Sequence, residues 1–376
     1  MRILIVGAGP AGLYLAYLLK RQRPAWSIRI VEQNARDSTF GFGVVFSERA
    51  LDFLRGDDAE TYDRITPEME AWTDITVVHR GEPVVIDGIG FSAIGRLKFL
   101  QLLRDQLEAT GVSPEYGFSL GNRENLQAFD LVVAADGANS TVRKSAEFGT
   151  TITPLSNRFA WFGTSRAFDT LTQTFVQNDV GHFNAHHYRH SPSMSTFVFE
   201  CDAATWTRAG FERMDEAATL AYCEKVFADT LQGHTLASNK SIWRNFPKVR
   251  NQRWVSGNRV LIGDAQRTAH FSIGSGTRLA MEDAIALAKA LAEFRHDLPA
   301  ALGAFEAARR PIVDKLVAAA DASGDWYEHF PEHMRLAPRE FAWSYIQRSG
   351  RIDPEKLRAI APGFAAGQPT LLGSAR

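Results

Sequence analysis

Three glycines near the start of the chain have the spacing of a phosphate-binding turn. Gly7, Gly9 and Gly12 form the pattern GxGxxG, and Ala11 completes the turn before the last glycine. Gly7 permits a sharp bend, Gly9 lets the backbone approach a pyrophosphate, and Gly12 lets the next helix pack close to the preceding strand. The first N–H groups of that helix are free and carry the positive end of its dipole, so they favour a bound phosphate.

The elements around this turn are those that such chemistry requires. The sequence predicts a strand from Met1 to Ile5, an amphipathic helix from Leu13 to Arg21 and a second strand from Ile28 to Val31. Glu32 follows the second strand, where its carboxylate can accept hydrogen bonds from a ribose, and Gln33 lies beside it. The alternative is a glycine-rich turn in an ordinary α/β protein, which leaves the acid unexplained. The pattern therefore predicts an adenine dinucleotide, either FAD or NAD.

The composition restricts the class of protein. The 376 residues are 45% hydrophobic and 23% charged, as in a globular protein of one or two domains. The formal net charge is −1, so we expect neither a nucleic-acid nor a membrane partner. Cys201 and Cys223 show no metal-ligand spacing, so we expect no metal site and a reducing, cytoplasmic location. We expect a monomer or a homodimer.

Hydrophobic periodicity predicts how the rest of the chain is organised. A helix is predicted from Arg96 to Ala109 because its leucines recur at helical spacing. Residues 158–201 contain long runs rich in Phe, Thr, Val and Tyr with turns between them, which indicates a mostly antiparallel sheet. A short buried strand from Arg259 to Ile262 returns the chain to the nucleotide-binding part. Helices dominate from Gly276 onward, and Pro311 is expected to kink or restart one of them.

Two further segments belong with the glycine turn. One is Asp130–Arg143, in which a buried strand ends at Asp136-Gly137, and the other is Gly263–Gly276. With all three segments in this order, the chain resembles the single-component FAD-dependent aromatic hydroxylases, flavoprotein monooxygenases similar to para-hydroxybenzoate hydroxylase. The fold that this resemblance implies is α/β, with a Rossmann-like FAD-binding domain, an inserted, mostly antiparallel β-sheet substrate domain, and C-terminal helices.

The resemblance also implies a division of the chain into six segments. Three segments build the FAD-binding domain, two contribute to the substrate domain, and one forms the C-terminal helical region. The FAD-binding segments are 1–73, 96–157 and 256–295. The substrate-domain segments are 74–95, which contains short strands, and 158–255, which contains the sheet. The C-terminal helical region is 296–376.

The resemblance assigns the third segment to FAD. Asp264 ends a strand, where a carboxylate can accept a hydrogen bond from a ribityl hydroxyl. Gly274 and Gly276 open the next helix, whose N–H groups and dipole can stabilise negative charge on the reduced flavin. The alternative for Asp264 is an acid that merely closes a turn.

Three more cofactor residues are expected from the family pattern. Asp136 belongs to a segment thought to serve both FAD and the nicotinamide donor, although it could simply close its strand. Arg96 opens a helix near the expected FAD pyrophosphate, although a lone arginine there could also be solvated. Val45 lies in segment 41–46, which we expect to border the flavin and to belong to a region that moves with it.

The chain departs from the family pattern after Asp264. Arg267 and His270 stand where many members have His and Pro, and Arg278 stands where many have Asn. The glycines that hold the flavin remain. The proline contact near the reacting flavin edge is replaced, so we expect His270 to border the substrate instead.

Finer resemblance narrows the substrate. The segments that look like a subfamily of 5-hydroxylases are Gly41–Ser47, Ala185–Tyr188, Met194–Phe197 and His270–Gly274. One branch resembles salicylyl-CoA 5-hydroxylase with the related aminobenzoyl-CoA enzymes, and the other resembles the tryptophan-type hydroxylase of violacein synthesis. Segments Thr277–Leu287 and Gln347–Ile352 favour the first branch. We therefore expect an aryl-CoA thioester such as salicylyl-CoA, and the alternative is a free indole or aromatic acid.

Candidate substrate residues follow from strand geometry. His186 and Tyr188 are two residues apart, so they share one face of a predicted strand, and with His270 they are expected to line the pocket. A CoA substrate needs a cationic surface for its phosphates, and a local basic cluster could supply it. Its members are Arg244, Lys248, Arg250 and Arg253. The alternative is that this cluster is a solvated face.

The implied reaction uses three small molecules besides the aromatic substrate. FAD stays bound, and NADH or NADPH reduces it as a transient co-substrate, because the chain has no second dinucleotide fingerprint. O₂ then gives a flavin C4a-hydroperoxide, whose distal oxygen attacks the ring para to a hydroxyl or amino group. His270 is the expected catalytic residue, since an imidazole whose pKa lies near working pH can relay the substrate's proton.

Two other functions compete with this hypothesis. An NAD-dependent dehydrogenase would use residues 1–33 but would leave the Gly263-Asp264 segment without a role. A non-enzymatic regulator would take up FAD without oxidising NAD(P)H in response to a substrate.

Overall fold

The computed structural model describes residues 1–121 and 125–367, and it confirms the α/β class. The strands are β1 (Arg2–Val6), β2 (Ser27–Glu32), β3 (Gly43–Ser47), β4 (Glu70–Trp72), β5 (Ile75–His79), β6 (Glu82–Ile86), β7 (Phe91–Gly95), β8 (Glu115–Tyr116), β9 (Leu131–Ala134), β10 (Thr150–Pro154), β11 (Arg158–Thr164), β12 (Leu171–Gln177), β13 (His182–Ser191), β14 (Met194–Cys201), β15 (Leu236–Ser238), β16 (Pro247–Asn251), β17 (Val255–Ser256) and β18 (Arg259–Leu261). The α-helices are α1 (Pro10–Gln22), α2 (Asp52–Asp57), α3 (Ala59–Ile65), α4 (Arg96–Glu108), α5 (Thr141–Lys144), α6 (Ala203–Ala209), α7 (Glu216–Val226), α8 (Ala228–Leu231), α9 (Gly276–Glu293), α10 (Leu298–Glu328), α11 (Phe330–His333), α12 (Pro338–Gln347), α13 (Pro354–Ile360) and α14 (Pro362–Ala366). The expected C-terminal region extends to residue 376, so its end lies outside the described residues.

The first sheet is the Rossmann-like part of the fold. Its order is β17-β18-β9-β1-β2-β8, and all its pairs are parallel except β17 with β18. Ile5 lies between Ile30 and Val133 on the neighbouring strands, and none of the three is more than 1% exposed. Strands that are buried on both faces are apolar throughout, which is why short unbroken apolar runs marked them in the sequence.

Helices α1, α4 and α9 pack together beside this sheet and share its main hydrophobic core. Pro10 occupies the first turn of α1, where its missing N–H costs nothing. The close packing of α1 depends on Gly12, because a side chain at this position would collide with the carbonyl oxygen of Gly7.

The second large sheet has seven strands in the order β15-β11-β14-β13-β12-β5-β6. Its pairs are antiparallel except for β5 with β12, and β5 and β6 come from the segment that precedes α4. One face packs Phe183, Phe197 and Phe199 against the cluster that includes helices α7 and α8. The opposite face carries His186 and Tyr188 and lies toward the rest of the molecule, so we call it the inner face of the sheet and the phenylalanine face the outer one.

A three-stranded sheet, β3-β7-β4, connects the two large sheets. The hydroxyl of Tyr188 on β13 donates to the carbonyl oxygen of Gly43 at the start of β3, at 3.0 Å. A side chain at Gly43 would collide with Thr196 and His190, so the backbone of β3 lies directly against the seven-stranded sheet. This contact fixes the nucleotide-binding part relative to the face that carries His186.

The long helix α10 contains Pro311, which was expected to kink or restart a helix. The helix is not restarted there, because α10 continues from Leu298 to Glu328. Pro311 and Ala307, whose carbonyl would have accepted the missing hydrogen bond, are both exposed, so water can satisfy that carbonyl. No helix in the described ranges is long and apolar enough to cross a membrane.

A buried group of charges joins the third sequence segment to helices α9 and α10. Asp283 on α9 is fully buried and forms ion pairs of 2.9 Å with both Arg267 and Arg309. The same carboxylate accepts a hydrogen bond from the backbone N–H of Gly263 at 3.1 Å. Arg267, the departure from the family pattern, therefore neutralises a buried acid and donates to the Gly263 carbonyl at 2.8 Å.

Replacing this acid should be costly. We expect Asp283→Asn to lower the free energy of unfolding by about 3–5 kcal/mol, because it removes the carboxylate paired with Arg267 and one of the two carboxylates paired with Arg309, the other being Glu282. Urea unfolding followed by circular dichroism measures this change. The matched control is Glu68→Gln, which breaks the exposed Lys98–Glu68 pair of 3.0 Å and should cost less than about 1 kcal/mol. Equal losses in the two variants would contradict the role of Asp283.

Candidate active site

The glycine turn after β1 has the geometry of an anion site. Gly7 has a φ of +105°, and a side chain there would collide with the Ala135 carbonyl, so β1 and β9 approach closely at this point. Gly9 is different, because the space that its side chain would occupy contains no protein atom within 4 Å. Gly9 is also the N-cap of α1 and provides no side-chain cap, so the first N–H groups of the helix lack that partner. This open, positively polarised turn fits a pyrophosphate.

Glu32 lies beside the turn, as predicted. One of its oxygens accepts from the backbone N–H of Ala8 at 2.9 Å, and the other accepts from the backbone and side-chain nitrogens of Asn34 at 2.9 and 2.6 Å. These bonds hold the carboxylate next to the phosphate turn with lone pairs left for a ribose. Gln33 is exposed next to it, and Ala11 is buried within α1.

Arg96 and Asp264 lie near enough to each other for their charges to interact. Asp264 is surrounded by protein, which raises the pKa of its carboxyl, while the positive charges of Arg267 and Arg96 lower it. Its side chain nevertheless has an exposed surface, so it lies on the floor of an open cleft. Arg96 begins α4 and its Nε has no partner, and burial lowers the pKa of its guanidinium. An exposed acceptor and an unpaired donor that lie near each other fit a ribityl chain and a phosphate.

The start of α9 meets β3 at the expected flavin position. Gly274 has a φ of +60°, and a side chain there would approach Cγ1 of Val45 to 3.2 Å. Gly276 borders open space at the first turn of α9, and the N-cap Ser275 makes no side-chain cap bond. The N–H groups of α9 are therefore directed at a space bounded by Val45.

Asp136 has a structural task in addition to any role toward a cofactor. One of its oxygens caps α5, accepting from the N–H and hydroxyl of Thr141 at 2.7 and 3.0 Å and from the N–H of Val142 at 3.3 Å. Its other oxygen is buried without a partner. Arg143 on the same helix donates to the carbonyl of Ala265 at 2.8 Å, so the second sequence segment supports the third.

The three residues predicted to line the substrate pocket come together in the structure. His186 and Tyr188 lie on the inner face of β13 with ring centroids 5.4 Å apart, and both are nearly fully buried. His270 faces them from the segment that precedes α9, and its ring contacts Phe271, Phe246 and Tyr327.

The reason given for a catalytic His270 has to be corrected. Its Nδ1 is hydrogen-bonded to the Ser272 hydroxyl at 2.7 Å, and that hydroxyl is bonded to Ser323 at the same distance. Burial, assisted by Arg348, lowers the pKa of His270 to about 3, and the same causes lower the pKa of His186 to about 3. Both rings are neutral near pH 7, so the expectation of a pKa near working pH is wrong. A role for His270 as hydrogen-bond partner stays a prediction.

Several residues near His186 and His270 were not among those predicted to line the pocket. Trp161, Phe159 and Phe271 form an aromatic wall with ring centroids 4.9–5.6 Å apart. Arg348, which follows α12, donates to the carbonyls of Tyr345 and Ser272 at 2.8 Å each. The aromatic strand residues could have been found from the period of two in β11. Arg348 lies in segment Gln347–Ile352, which favoured the aryl-CoA branch, but no spacing pointed to this arginine itself.

The basic cluster proposed for CoA phosphates is mostly neutralised. Arg250 forms two bonds of 2.6 and 2.7 Å to Asp321, and Lys248 pairs with Asp325 at 2.8 Å. Arg253 lies 3.9 Å from Glu147. Arg244 is exposed and, in the described part of the chain, contacts no carboxylate; its guanidinium lies 5.7 Å from the Phe40 ring. Of the four cations, Arg244 therefore remains the best candidate for an anionic ligand.

Comparison with protein families agrees with this geometry. A family model described as "FAD binding domain" matches residues 97–320, and one described as "NAD(P)-binding Rossmann-like domain" matches residues 5–49. The first match includes Arg96's helix and the Asp264 segment, and the second includes the glycine turn and Glu32.

Three curated relatives cover most of the chain. A salicyloyl-CoA 5-hydroxylase of Streptomyces sp is 42% identical over 93% of this chain and 70% of its own length. A protodeoxyviolaceinate monooxygenase of Chromobacterium violaceum is 36% identical over 94% of this chain and 96% of its own. A 3-hydroxy-4-methyl-anthranilyl-[aryl-carrier protein] 5-monooxygenase of Streptosporangium sibiricum is 36% identical over 88% and 90%. The solved structure of 2-methyl-3-hydroxypyridine-5-carboxylic acid oxygenase matches with a TM-score of 0.73 at 19% identity, over 96% of both chains.

The open carboxylate in the cleft leads to a prediction about the cofactor. We expect Asp264→Asn to weaken FAD binding by about tenfold to a hundredfold, because a charged acceptor of a buried hydrogen bond is lost. Titration of the FAD-free protein with FAD, followed by flavin fluorescence, measures the dissociation constant. The control Glu147→Gln changes an exposed acid outside the cleft and should leave that constant unaltered. Unchanged FAD affinity in Asp264→Asn would refute the assignment.

The buried titratable groups predict a stability maximum near pH 6.5. His186 and His270 have pKa values of about 3 and His190 of about 4, against 6.5 when unfolded, so unfolding takes up protons and stability falls as pH decreases below 6.5. The expected slope is up to about 1.4 kcal/mol per pH unit per histidine. Glu200 acts oppositely: burial raises its pKa from 4.5 to about 8, so stability falls as pH rises toward 8. Urea unfolding of FAD-free protein from pH 4.5 to 8.5 tests both the loss of stability on acidification and the loss of stability toward pH 8.

Glu200→Gln is the matched variant for this pH profile. It should remove the decline between pH 6.5 and 8 and leave the decline on acidification, because the histidines are unchanged. A profile that is flat from pH 6.5 to 4.5 in both proteins would show that the imidazoles are not held neutral.

Proposed function

The chain belongs to the FAD-dependent aromatic monooxygenases, and from this we propose that its substrate is an aryl-CoA thioester such as salicylyl-CoA, hydroxylated at carbon 5. The observation that carries the proposal is the 42% identity, over 93% of the chain, to a relative named for that reaction. A second relative is named for an aryl group attached to a carrier protein, which is also an acyl derivative of an aromatic acid. The dehydrogenase interpretation is wrong, because the FAD match extends across the Gly263-Asp264 segment.

We assign FAD to the cleft on the fit of its residues. Gly7, Gly9, Gly12 and the start of α1 would hold the pyrophosphate, and Glu32 would hold the adenosine ribose. Asp264 and Arg96 would hold the ribityl and phosphate groups. When bound, the flavin supplies the activation of O₂ with electrons from NADH or NADPH.

The protein's own residues orient the ring and exclude water. Trp161, Phe159 and Phe271 provide flat apolar surfaces that suit an aromatic ring. Tyr188 is held by the Gly43 carbonyl and cannot turn away from the pocket. His186 and His270 are neutral, so they can hydrogen-bond to a substrate oxygen without adding charge to the pocket.

The nucleotide of a thioester substrate must extend out of the pocket, and we place it beside the edge of the aromatic wall. The backbone of Arg244 pairs with that of Phe159 at 2.9 and 3.0 Å, so its exposed guanidinium stands next to the wall. Phe40, 44% exposed, lies beside it and could stack on an adenine. Asn239 holds this loop through the carbonyls of Thr39 and Gly41 at 3.0 and 3.1 Å.

The second candidate is a free indole-type or aromatic acid substrate. It is favoured by the violacein-pathway relative, whose match covers 96% of its own length. In that case the exposed Arg244 would have no part in substrate binding.

A substrate screen tests the proposal. We expect salicylyl-CoA to stimulate NADH or NADPH oxidation at least tenfold with stoichiometric 5-hydroxylated thioester, while 2-aminobenzoyl-CoA gives a weaker response and tryptophan and salicylate give none. Product is identified by chromatography and mass spectrometry. Hydroxylation of a free acid or of tryptophan, without turnover of either thioester, would refute the thioester assignment.

Arg244 provides the matched variant for this screen. Arg244→Glu should raise KM for salicylyl-CoA by about tenfold and leave KM for a thioester lacking the nucleotide, salicylyl-N-acetylcysteamine, unchanged. Arg253→Glu, a charge reversal at an arginine that is 61% exposed, should change neither value.

A further inference from the structure

Arg348 is a cation in the pocket that has no anion. Its guanidinium lies 3.8 Å from the centroid of the Tyr345 ring and donates to two backbone carbonyls, those of Tyr345 and Ser272. Its Nε–H is buried without a partner, and no carboxylate in the described ranges pairs with it. A guanidinium has five N–H donors, so most of them are not used by the protein.

The side chains around Arg348 do not compensate its charge. The charge acts on His186 and His270, where it helps to lower both imidazole pKa values, and on Tyr327. His186 Nε2 is also buried without a partner. A partly buried cation that faces two neutral rings and a phenol is stabilised when a ligand brings negative charge to it.

Building on the proposed function, we propose that Arg348 binds the ionised ring hydroxyl of the substrate and thereby activates the carbon para to it. The aromatic wall holds the ring, and His186 and His270 contribute neutral hydrogen-bonding groups beside the same oxygen. Arg348 is then the group that distinguishes a hydroxyaryl thioester from one that carries an amino group at the same position, because an amine brings no negative charge.

The step is a proton loss that accompanies binding. The O–H bond of the substrate breaks, its electron pair stays on oxygen, and the proton leaves to bulk water as the substrate enters. The oxyanion then forms an ion pair with Arg348, which has no carboxylate partner in the described ranges. The charge of the oxyanion increases electron density at the para carbon, which is the carbon that attacks the electrophilic oxygen in the proposed reaction. Neither histidine has to accept a charge at neutral pH.

The register of β13 agrees with this arrangement. Tyr188 is on the side of the pocket next to Gly43, and the positive charge of Arg96 acts to lower its pKa. The positive charge of Arg348 instead acts to lower the pKa of His186. The two residues share a face and are separated by roughly 7 Å along the strand. A ring whose oxygen points to Arg348 therefore presents its para carbon toward Tyr188, the end of the pocket next to the expected flavin.

The test compares Arg348→Met and Arg348→Lys with the wild-type holoenzyme. Difference spectra of bound salicylyl-CoA against pH, without NAD(P)H, give the pKa of the bound phenol. We expect it to lie at least about one unit below the free value in wild type, to return to the free value in Arg348→Met, and to be partly restored in Arg348→Lys. Proton release on binding, followed with a pH indicator below the pKa of the free phenol, should disappear in Arg348→Met.

Turnover provides an independent readout. Arg348→Met should lower kcat by about tenfold to a hundredfold with salicylyl-CoA and by less than about threefold with 2-aminobenzoyl-CoA. A merely structural role would lower both equally. Arg351→Met removes an exposed arginine three residues later and should change neither value. FAD content and thermal unfolding of every variant confirm that it folds.

Other titrating groups have to be separated from the substrate signal. The titratable groups that face Arg348 are His186, His270, Tyr327 and Tyr345. The charge of Glu200 acts on Tyr327, and burial raises the pKa of Glu200 to about 8. The phenol pKa should therefore be the same in Glu200→Gln as in wild type. If salicylyl-CoA is turned over but its bound pKa is equal in wild type and Arg348→Met, this inference fails and the proposed function stands. If the wild type acts on no thioester, the proposed function itself fails.

Discussion

The fully buried carboxylate of Asp283 is the constraint on which the site depends. It pairs with two guanidinium groups at 2.9 Å and receives the N–H of Gly263 at 3.1 Å. Through Gly263 it fixes the turn that exposes Asp264 to the cleft, and through Arg309 it ties α9 to α10. Helix α10 carries Ser323 and Tyr327, which contact His270 and its serine partner. Cofactor cleft and pocket are therefore linked by one ionic centre, in which loss of Asp283 would leave Arg267 without its partner at 2.9 Å, while Arg309 would keep Glu282 at 2.9 Å.

The same burial gives the pocket its electrostatic character. His186, His190 and His270 are nearly fully buried and are kept neutral, and a buried acid, Glu200, is kept protonated at neutral pH. In such surroundings a charge acts over a longer distance than in water. Two positive charges act on neighbouring residues of the inner face of β13, Arg348 on His186 and Arg96 on Tyr188.

Much of this could be predicted from the sequence because its cause is local. Gly7, Gly12 and Gly274 are required by backbone conformation or by close approach, and such requirements leave fixed spacings. The pairing of His186 with Tyr188 follows from the period of two in a strand. Arg348 could not be found this way, because its contact with Ser272 joins residues 76 positions apart. The neutral state of His270 depends on burial, and the pairing of Arg250 with Asp321 depends on how α10 lies against β16; neither leaves a spacing in the chain.

If the substrate ring lies along the inner face of β13 as we propose, its orientation depends on strand register as well as on Arg348. Tyr188 is anchored to the Gly43 carbonyl, and Asn184, His186 and Tyr188 stand opposite Glu200, Val198 and Thr196 on β14. A shift of one residue would turn every inner side chain to the opposite face, where Phe183 and Phe199 fill a closed aromatic core. The imidazole that already lies on that face, His187, stacks on Phe197 and is hydrogen-bonded to Thr174 at 2.9 Å. The hydrophobic packing on the outer face of the sheet thus fixes which side chains of β13 face the proposed substrate site.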